Sequence, residues 1–411
     1  MYDITPEDAA NPFATMSRPD VHANPYPFYD YLRDTSPVAP GPNNMWFVTK
    51  NALVSEVLNN DAQTSTKVRS AKGSNPIEDL WSSAYDSELL FSGGERHAFL
   101  RSFANAAFKP RRVRKLRPQL EEDVNRYLDR VADSGKIDVT ADLAHPFAIN
   151  AVMRIIGLPQ DSMPEVDRWS TAMGAMLDPT KGQDPVYRGP ANEAFAECTA
   201  FVGSLLEERA ANPQDDVLSD FAANMNTDGG LSSMDIMGIV IRGMINAGHA
   251  TTTAQMGNNM LAMLAFPDQL EKLTANPDLA TNAVEELLRF DPAIQLSVRI
   301  AAEPLDVGGV PVDGSEAIIL LGGAANRDPE AFENPNEIDI ERDCARTMTS
   351  GGGEHYCLGA VLARLECEVA LMETIKRMTN FELLVPVDEV ERDSNITLRT
   401  TTSIPVSFEL R

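Results

Sequence analysis

The segment TSGGGEHYCLGAVLARLECEVALMETI sets a cysteine where its thiol could serve as a metal-binding thiolate. Gly351, Gly352 and Gly353 precede Cys357, and apolar residues at 358, 361, 365, 369, 372 and 375 keep helical spacing after it. Cys357 is therefore expected at a helix N-terminus, where aligned peptide dipoles and free N–H groups favour negative charge and lower a thiol's pKa. The glycines let the backbone turn tightly and come close to a flat ligand without Cβ clashes. Gly-rich turns also open phosphate loops and plain helices. A phosphate loop, however, needs Lys and then Ser or Thr after its last glycine, and Glu354, His355 and Tyr356 stand here instead. The other cysteines, Cys198, Cys344 and Cys367, show no C-x-x-C pair and no zinc spacing. Cys198 and Cys367 lie in helical patterns and read as small buried hydrophobes.

The pattern Gly351-x-Gly353-x-His355-x-Cys357-x-Gly359 resembles the signature of the cytochrome P-450 family. The resemblance implies that Cys357 binds the iron of haem b as thiolate, donating the electron density that favours O–O cleavage. It also implies that His355 binds a haem propionate. The family usually has Phe seven residues before the cysteine, where it shields the sulfur. Ser350 stands here, which bears on the sulfur's hydrogen bonding, its solvent access and the iron potential.

Further elements of the resemblance lie along the chain, from about Asn24 almost to the C-terminus. Glu286 and Arg289 in NAVEELLRF are one helical turn apart and able to pair, a feature that is commonplace and weak at a surface. They resemble the family's Glu-x-x-Arg element, with Arg342 as the third, structural member. His97 and Arg101 in ERHAFLRSF face the same way on a helix, as a surface pair would. In the family such a pair, with a later Arg represented here by Arg299, neutralises the haem propionates, and a buried dianion needs cationic donors.

The stretch IVIRGMINAGHATTTAQMGNNM resembles the helix crossing the distal haem face. At about 100° per residue, Val240, Met244, Ala247, Gly248, Thr251 and Gln255 fall within one arc, while Arg242 and His249 point away. Small residues at 247 and 248 would leave room for dioxygen. Thr251 matches the threonine that helps deliver protons, but the acid usual before it is replaced by Ala250. General acid catalysis needs a donor within hydrogen-bond reach or one water away, so Thr251 is expected to work with water, Gln255 or a polar substrate group.

The elements that must hold these residues are mostly helical. Helical periodicity runs through 119 to 133, 194 to 210, 234 to 265, 267 to 290 and 358 to 378, with strands expected at 45–48, 297–300, 317–321 and in the 397–410 tail. Residues 68 to 94 and 177 to 192 read as surface loops. The fold class is mainly α with small β-sheets. It is expected as one domain over 1–411, residues 1–23 being loosely ordered. The 35 Lys and Arg against 61 Asp and Glu, a formal charge of −26, argue against nucleic acid and anionic membrane as partners. The first twenty residues lack a basic start and an apolar core, so a cytoplasmic protein is expected, and a monomer.

Within the resemblance, Val240, Met244, Ala293, Ile294, Ser297, Thr400 and Thr401 fall in substrate-contacting segments and imply a mainly apolar pocket with a few hydroxyls. Electrons are expected from a separate iron–sulfur ferredoxin and its NAD(P)H-dependent reductase. The basic run KPRRVRKLRP, with Arg111, Arg112, Arg114 and Lys115, would dock that acidic partner, or is simply a solvated face. The activity so implied is insertion of one oxygen atom from O2 into a small apolar organic substrate. A peroxide-using or rearranging enzyme, and a haem-binding sensor or carrier without turnover, are the alternatives.

Overall fold

The computed structural model describes residues 2–66, 89–177, 184–225 and 227–411. Local chemistry sets where its helices begin and end. Pro110 opens Pro110–Lys115 and Pro185 opens Pro185–Ala211 at first-turn positions that need no N–H partner, and the Asp184 carboxylate caps the latter through the Val186 N–H. The loop expected at 177–192 is thus helical from residue 185 onward, and residues 178–183 lie outside the described residues. Most of the expected loop at 68–94 lies outside them too, up to residue 88. The run expected at 267–290 divides into Pro267–Ala275, a short turn at Pro277–Leu279 and Ala280–Phe290, because Pro277 cannot continue the first helix.

The 234–265 run departs from a uniform helix in a way that matters for the site. The short α-helix Ser233–Met237 leads into a π-helical segment, Gly238–Asn246, and regular α-helix resumes at Ala247–Ala265, the distal helix. Wider i→i+5 turns change the angular spacing. The arc projected from ideal geometry therefore fails upstream of 247: Val240 and Met244 are buried in the main hydrophobic core.

The strands are β1 (Val38–Gly41), β2 (Met45–Val48), β3 (Thr64–Ser65), β4 (Lys136–Asp138), β5 (Ser297–Ala301), β6 (Leu305–Val307), β7 (Val310–Val312), β8 (Ala317–Leu320), β9 (Met378–Leu383) and β10 (Pro405–Leu410). One five-stranded sheet has the order β1-β2-β8-β5-β3, another has β4-β10-β9, and β6 and β7 form a hairpin. Of the tail expected as strand, only β10 is one; Leu398 and Thr401 make isolated bridges, to Ile294 and Arg392. In the first sheet β5 lies antiparallel to β8, which fixes Arg299 opposite Ile318.

Two buried charge networks hold this frame together. Arg289 and Glu286, both fully buried, share two hydrogen bonds of 2.6 and 2.8 Å, and Arg342 adds a third to Glu286 at 3.0 Å. Arg289 also donates to the carbonyls of Asn326, Pro335 and Glu337. A second network centres on Asp291, which accepts from Arg399 at 2.8 Å and from the Tyr26 hydroxyl at 2.5 Å. Burial alone would raise the Asp291 carboxyl, but Arg399, Arg392, the Tyr26 hydroxyl and Arg327 bring it below the ordinary carboxylate range.

The same network corrects the expectation of a loose N-terminus. Residues 6–10, 12–16 and 19–23 form short helices, with Met16 and Val21 buried. Arg399 donates to the carbonyls of His22 and Ala23, and the Tyr2 hydroxyl to that of Asn24, so backbone groups there are paired across the fold.

Candidate haem-thiolate site

Cys357 stands three residues before the helix Ala360–Arg377, which packs along the distal helix. Backbone N–H groups of Gly359 and Ala360 point at its sulfur, as the sequence implies. The net shift is nonetheless upward: burial raises the thiol, outweighing those N–H groups and the positive charges of Arg101 and Arg364. The residue still exposes surface. A side chain that is accessible yet desolvated by surrounding protein faces an enclosed cleft rather than open solvent.

Around that cleft the glycines have distinct duties. Gly351 and Gly353 adopt φ of +70° and +64°, where a side chain is strained. At Gly353 the close approach is to protein, since a Cβ would lie 2.4 Å from the Leu58 carbonyl oxygen. At Gly359 a Cβ would meet no protein atom within 4 Å, so the space beside the sulfur is open. Ser350 takes the place of a shielding ring differently from what Phe would do. Its carbonyl accepts the Cys357 N–H at 2.9 Å and its hydroxyl accepts from Arg364 Nη1 at 3.2 Å, with Arg364 also gripping Glu285. A guanidinium therefore lies near the sulfur. Arg364 was silent in the sequence, where it looks like any charged residue on a helix.

Four basic side chains gather at the same place. The rings of His97 and His355 lie 4.3 Å apart, Arg101 donates to the Tyr356 carbonyl at 2.6 Å, and Arg299 is buried on β5. Burial first, then His97, Arg299 and Arg101, push His355 down to about 3. Burial also lowers Arg299 and Arg101. Among the described residues Arg101 and Arg299 reach no carboxylate at ion-pair distance, and the two histidines meet only Glu354, at 3.7 and 3.4 Å. His97 Nε2 is buried without a hydrogen-bond partner there. Two arginines without a carboxylate partner, flanked by two histidine rings, suit a cofactor bearing two carboxylates. Thr66, whose hydroxyl lies 3.3 Å from His355 Nε2, belongs to this group and carried no sequence signal.

On the distal helix Ala247 is exposed, and Gly248, Ala250 and Thr251 are partly so, in a segment otherwise packed into the core. The Thr251 hydroxyl donates to the Ala247 carbonyl at 2.7 Å, which leaves its oxygen lone pairs as acceptors. Gly248 also has a packing reason: a Cβ there would lie 2.9 Å from Val152 Cγ2. Gln255 is not free to act beside Thr251. Its amide is buried and used, donating to Asn259 at 2.8 Å and accepting the Ala293 N–H at 2.9 Å, so it ties the helix to the 291–293 turn. Arg242 and His249 point elsewhere as projected, Arg242 over the Phe195 ring and His249 toward Ser170.

Of the remaining pocket candidates, Ala293 and Ile294 pack with Ala250, Ala254 and Leu398 beside the open patch. Ser297 is half-buried, as is Thr400. Thr401 is buried and faces Thr140 at 3.5 Å, away from a pocket role. The basic run sits on Pro110–Lys115, which packs on the cysteine helix. It is less free than its sequence implies: Arg112 pairs with Asp220 at 2.6 Å and Lys115 with Asp215 at 3.4 Å, along a cavity of about 1270 Å³. Arg111 and Arg114 are exposed without such pairing among the described residues.

Glu366, on the cysteine helix, is fully buried, and its Oε2 has no hydrogen-bond partner among the described residues. Burial raises its carboxyl well above the ordinary value, because the ionised form is the one desolvation penalises. A group raised in this way stabilises the fold below its unfolded pKa and loses that contribution as pH climbs toward the folded pKa. Glu366→Gln should therefore gain stability relative to the parent as pH rises above about 4.3, by roughly 1.4 kcal/mol per unit. Denaturant midpoints measured across pH check this; parallel curves would refute it.

An accessible sulfur at a helix start, bases short of anions and an open small-residue patch on a core helix define the class: a haem-thiolate protein. The family model for cytochrome P450 matches residues 30–409, and the chain belongs to that family, whose cofactor is haem b. It is an oxidoreductase of the P450 monooxygenase type. Among relatives, the biotin biosynthesis cytochrome P450 of Bacillus subtilis is 34% identical, covering 88% of this chain and 90% of its own. The 6-deoxyerythronolide B hydroxylase of Saccharopolyspora erythraea is 31% identical, with coverages of 94% and 97%. The crystal structure of CalO2 superposes with a TM-score of 0.88 at 31% identity, covering 96% of this chain and 98% of the other. P450BioI in complex with hexadec-9Z-enoic acid ligated acyl carrier protein gives 0.86 at 32% identity, with coverages of 95% and 99%. No helix among the described residues is long and apolar enough to cross a membrane.

Proposed function

We propose that this P450 inserts one oxygen atom from O2 into a mainly apolar small organic substrate, using electrons from a separate iron–sulfur ferredoxin. The observation that carries this reading is the accessible Cys357 sulfur beside Arg101 and Arg299, which reach no carboxylate among the described residues, and two histidines that share Glu354 alone. In this reading Cys357 is the iron ligand, and His97, Arg101, Arg299 and His355 hold the haem carboxylates. Bound haem supplies the activation of dioxygen and the transfer of one oxygen atom. Gly359 leaves room beside the sulfur, while Gly359 and Ala360 N–H groups and the nearby Arg364 favour its anionic form. Ala247, Ala250, Ala293 and Ile294 shape an apolar wall against which the substrate rests. Arg111 and Arg114, exposed and without ion pairs among the described residues, attract the acidic electron donor.

The Thr251 hydroxyl already donates to the Ala247 carbonyl and has no carboxylic neighbour at 250, so protons reach the cleft through water. That arrangement favours a second reading, in which hydrogen peroxide serves as the oxidant. Product formed with hydrogen peroxide alone, compared with product from ferredoxin, reductase and O2, separates the two. Under the first reading Ala250→Asp should raise product formed per electron consumed, since a well-placed general acid is worth roughly 10²–10⁴ in rate. An unchanged yield would show that no proton donor is missing.

A further inference from the structure

On the side of the distal helix away from the open patch, His249 meets two neighbouring helices. Its Nε2 lies 3.1 Å from His145 Nδ1, at the start of His145–Ile156, and its Nδ1 lies 3.1 Å from the Ser170 hydroxyl on Met163–Gly174. His145 Nε2 in turn lies 2.9 Å from Asp167 Oδ1. The two rings are 4.5 Å apart and inclined by 68°. His249 is buried, while His145 and Asp167 keep 36% and 40% of their side-chain surface exposed, so the cluster opens to solvent at one end. None of these residues takes part in the haem site.

We propose that His145 and His249 form a binding site for a divalent transition-metal ion of the zinc class, through His145 Nδ1 and His249 Nε2. Two zinc–nitrogen bonds of about 2.0–2.1 Å at a near-tetrahedral angle hold their nitrogens about 3.3 Å apart, close to the spacing already present. The far nitrogens are arranged as in metal sites, where a ligating histidine donates its other N–H to a carboxylate or an oxygen acceptor. Asp167 plays that part for His145, and Ser170 for His249. The ligand-capable atoms of His145, Asp167 and His249 lie within 4.8 Å of one another, so the carboxylate is also near enough to turn onto the ion itself. Burial, and then His145, push His249 down to about 3, so it is neutral and has a lone pair to offer. In the ion's absence one shared proton fills the gap; binding replaces it by shifting His249 to its Nδ1–H tautomer, with water completing the coordination shell. The ion bridges two helices, one of them the helix that carries Thr251, and Asp167 and Ser170 tie the pair to a third.

Equilibrium dialysis of the haem-loaded full chain against Zn²⁺ tests the site. The parent should bind one equivalent that His145→Gln weakens at least tenfold and Asp167→Asn weakens about 10–100-fold, the usual cost of losing an outer-shell partner. An unchanged haem spectrum verifies that each variant is folded, and should His145→Gln fail that check, Asp167→Asn alone decides. Cu²⁺ bound in place of Zn²⁺ should show two nitrogen donors by electron paramagnetic resonance, falling to one in His145→Gln. Equal Zn²⁺ affinity in the parent and the folded variants, or no binding by the parent at millimolar Zn²⁺, would overturn the proposal.

Discussion

Arg289→Met should lower unfolding stability by about 3–5 kcal/mol, the cost of leaving a buried charge uncompensated. Among the described residues Arg289 is the largest side chain with no solvent exposure, and Glu286 beside it is equally buried. Removing the guanidinium strands the Glu286 carboxylate with Arg342 as its remaining cation and frees three carbonyls, of Asn326, Pro335 and Glu337, from their donor. Against a total stability of about 5–15 kcal/mol, that loss is severe. Replacing both partners by apolar residues of similar volume should recover much of it, because the desolvation of the pair disappears along with its attraction. Chemical denaturation of parent, single and double variants measures the effect. A loss below about 1 kcal/mol in the single variant would place the pair among ordinary solvated ones.

Cys357→Ala should abolish monooxygenase turnover while leaving the unfolding free energy of the haem-free chain within about 0.5 kcal/mol of the parent. The two effects separate because the sulfur is accessible and outside the hydrophobic core. By contrast, Cys198 and Cys367 are buried, and burial holds both thiols high, so they are packing residues with no claim on a metal. Product assays with ferredoxin, reductase and O2, alongside denaturation of the haem-free protein, give both numbers. Retained turnover in the alanine variant would remove Cys357 from the proposed site.

Features that depend on residue type and short spacing were legible before the structure. The cysteine loop, the Glu286–Arg289 pair and the gathering of His97, Arg101, Arg299 and His355 could be read because each rests on a pattern within a few residues or on family resemblance. What escaped depends on geometry that sequence period does not encode. A π-helical segment rotated Val240 and Met244 into the core, which no 100° projection anticipates. Gln255 looked like a proton donor on the helix face, yet the 291–293 turn, distant in sequence, claims its amide. Gly248 answers to Val152 on another helix, and the N-terminal segment is ordered by Arg399 near the other end of the chain. The pairing of Arg112 and Lys115 with Asp215 and Asp220 likewise needed the fold to bring a remote acidic stretch alongside. Long-range contacts decide these cases, and composition carries no record of them.

The most direct test of a haem-thiolate site is the absorption spectrum of the dithionite-reduced protein under carbon monoxide. Ligation by the Cys357 thiolate predicts a strongly red-shifted Soret band, lost in Cys357→Ala. A band at the unshifted position in the parent protein, or no haem band after reconstitution with haem b, would contradict the account.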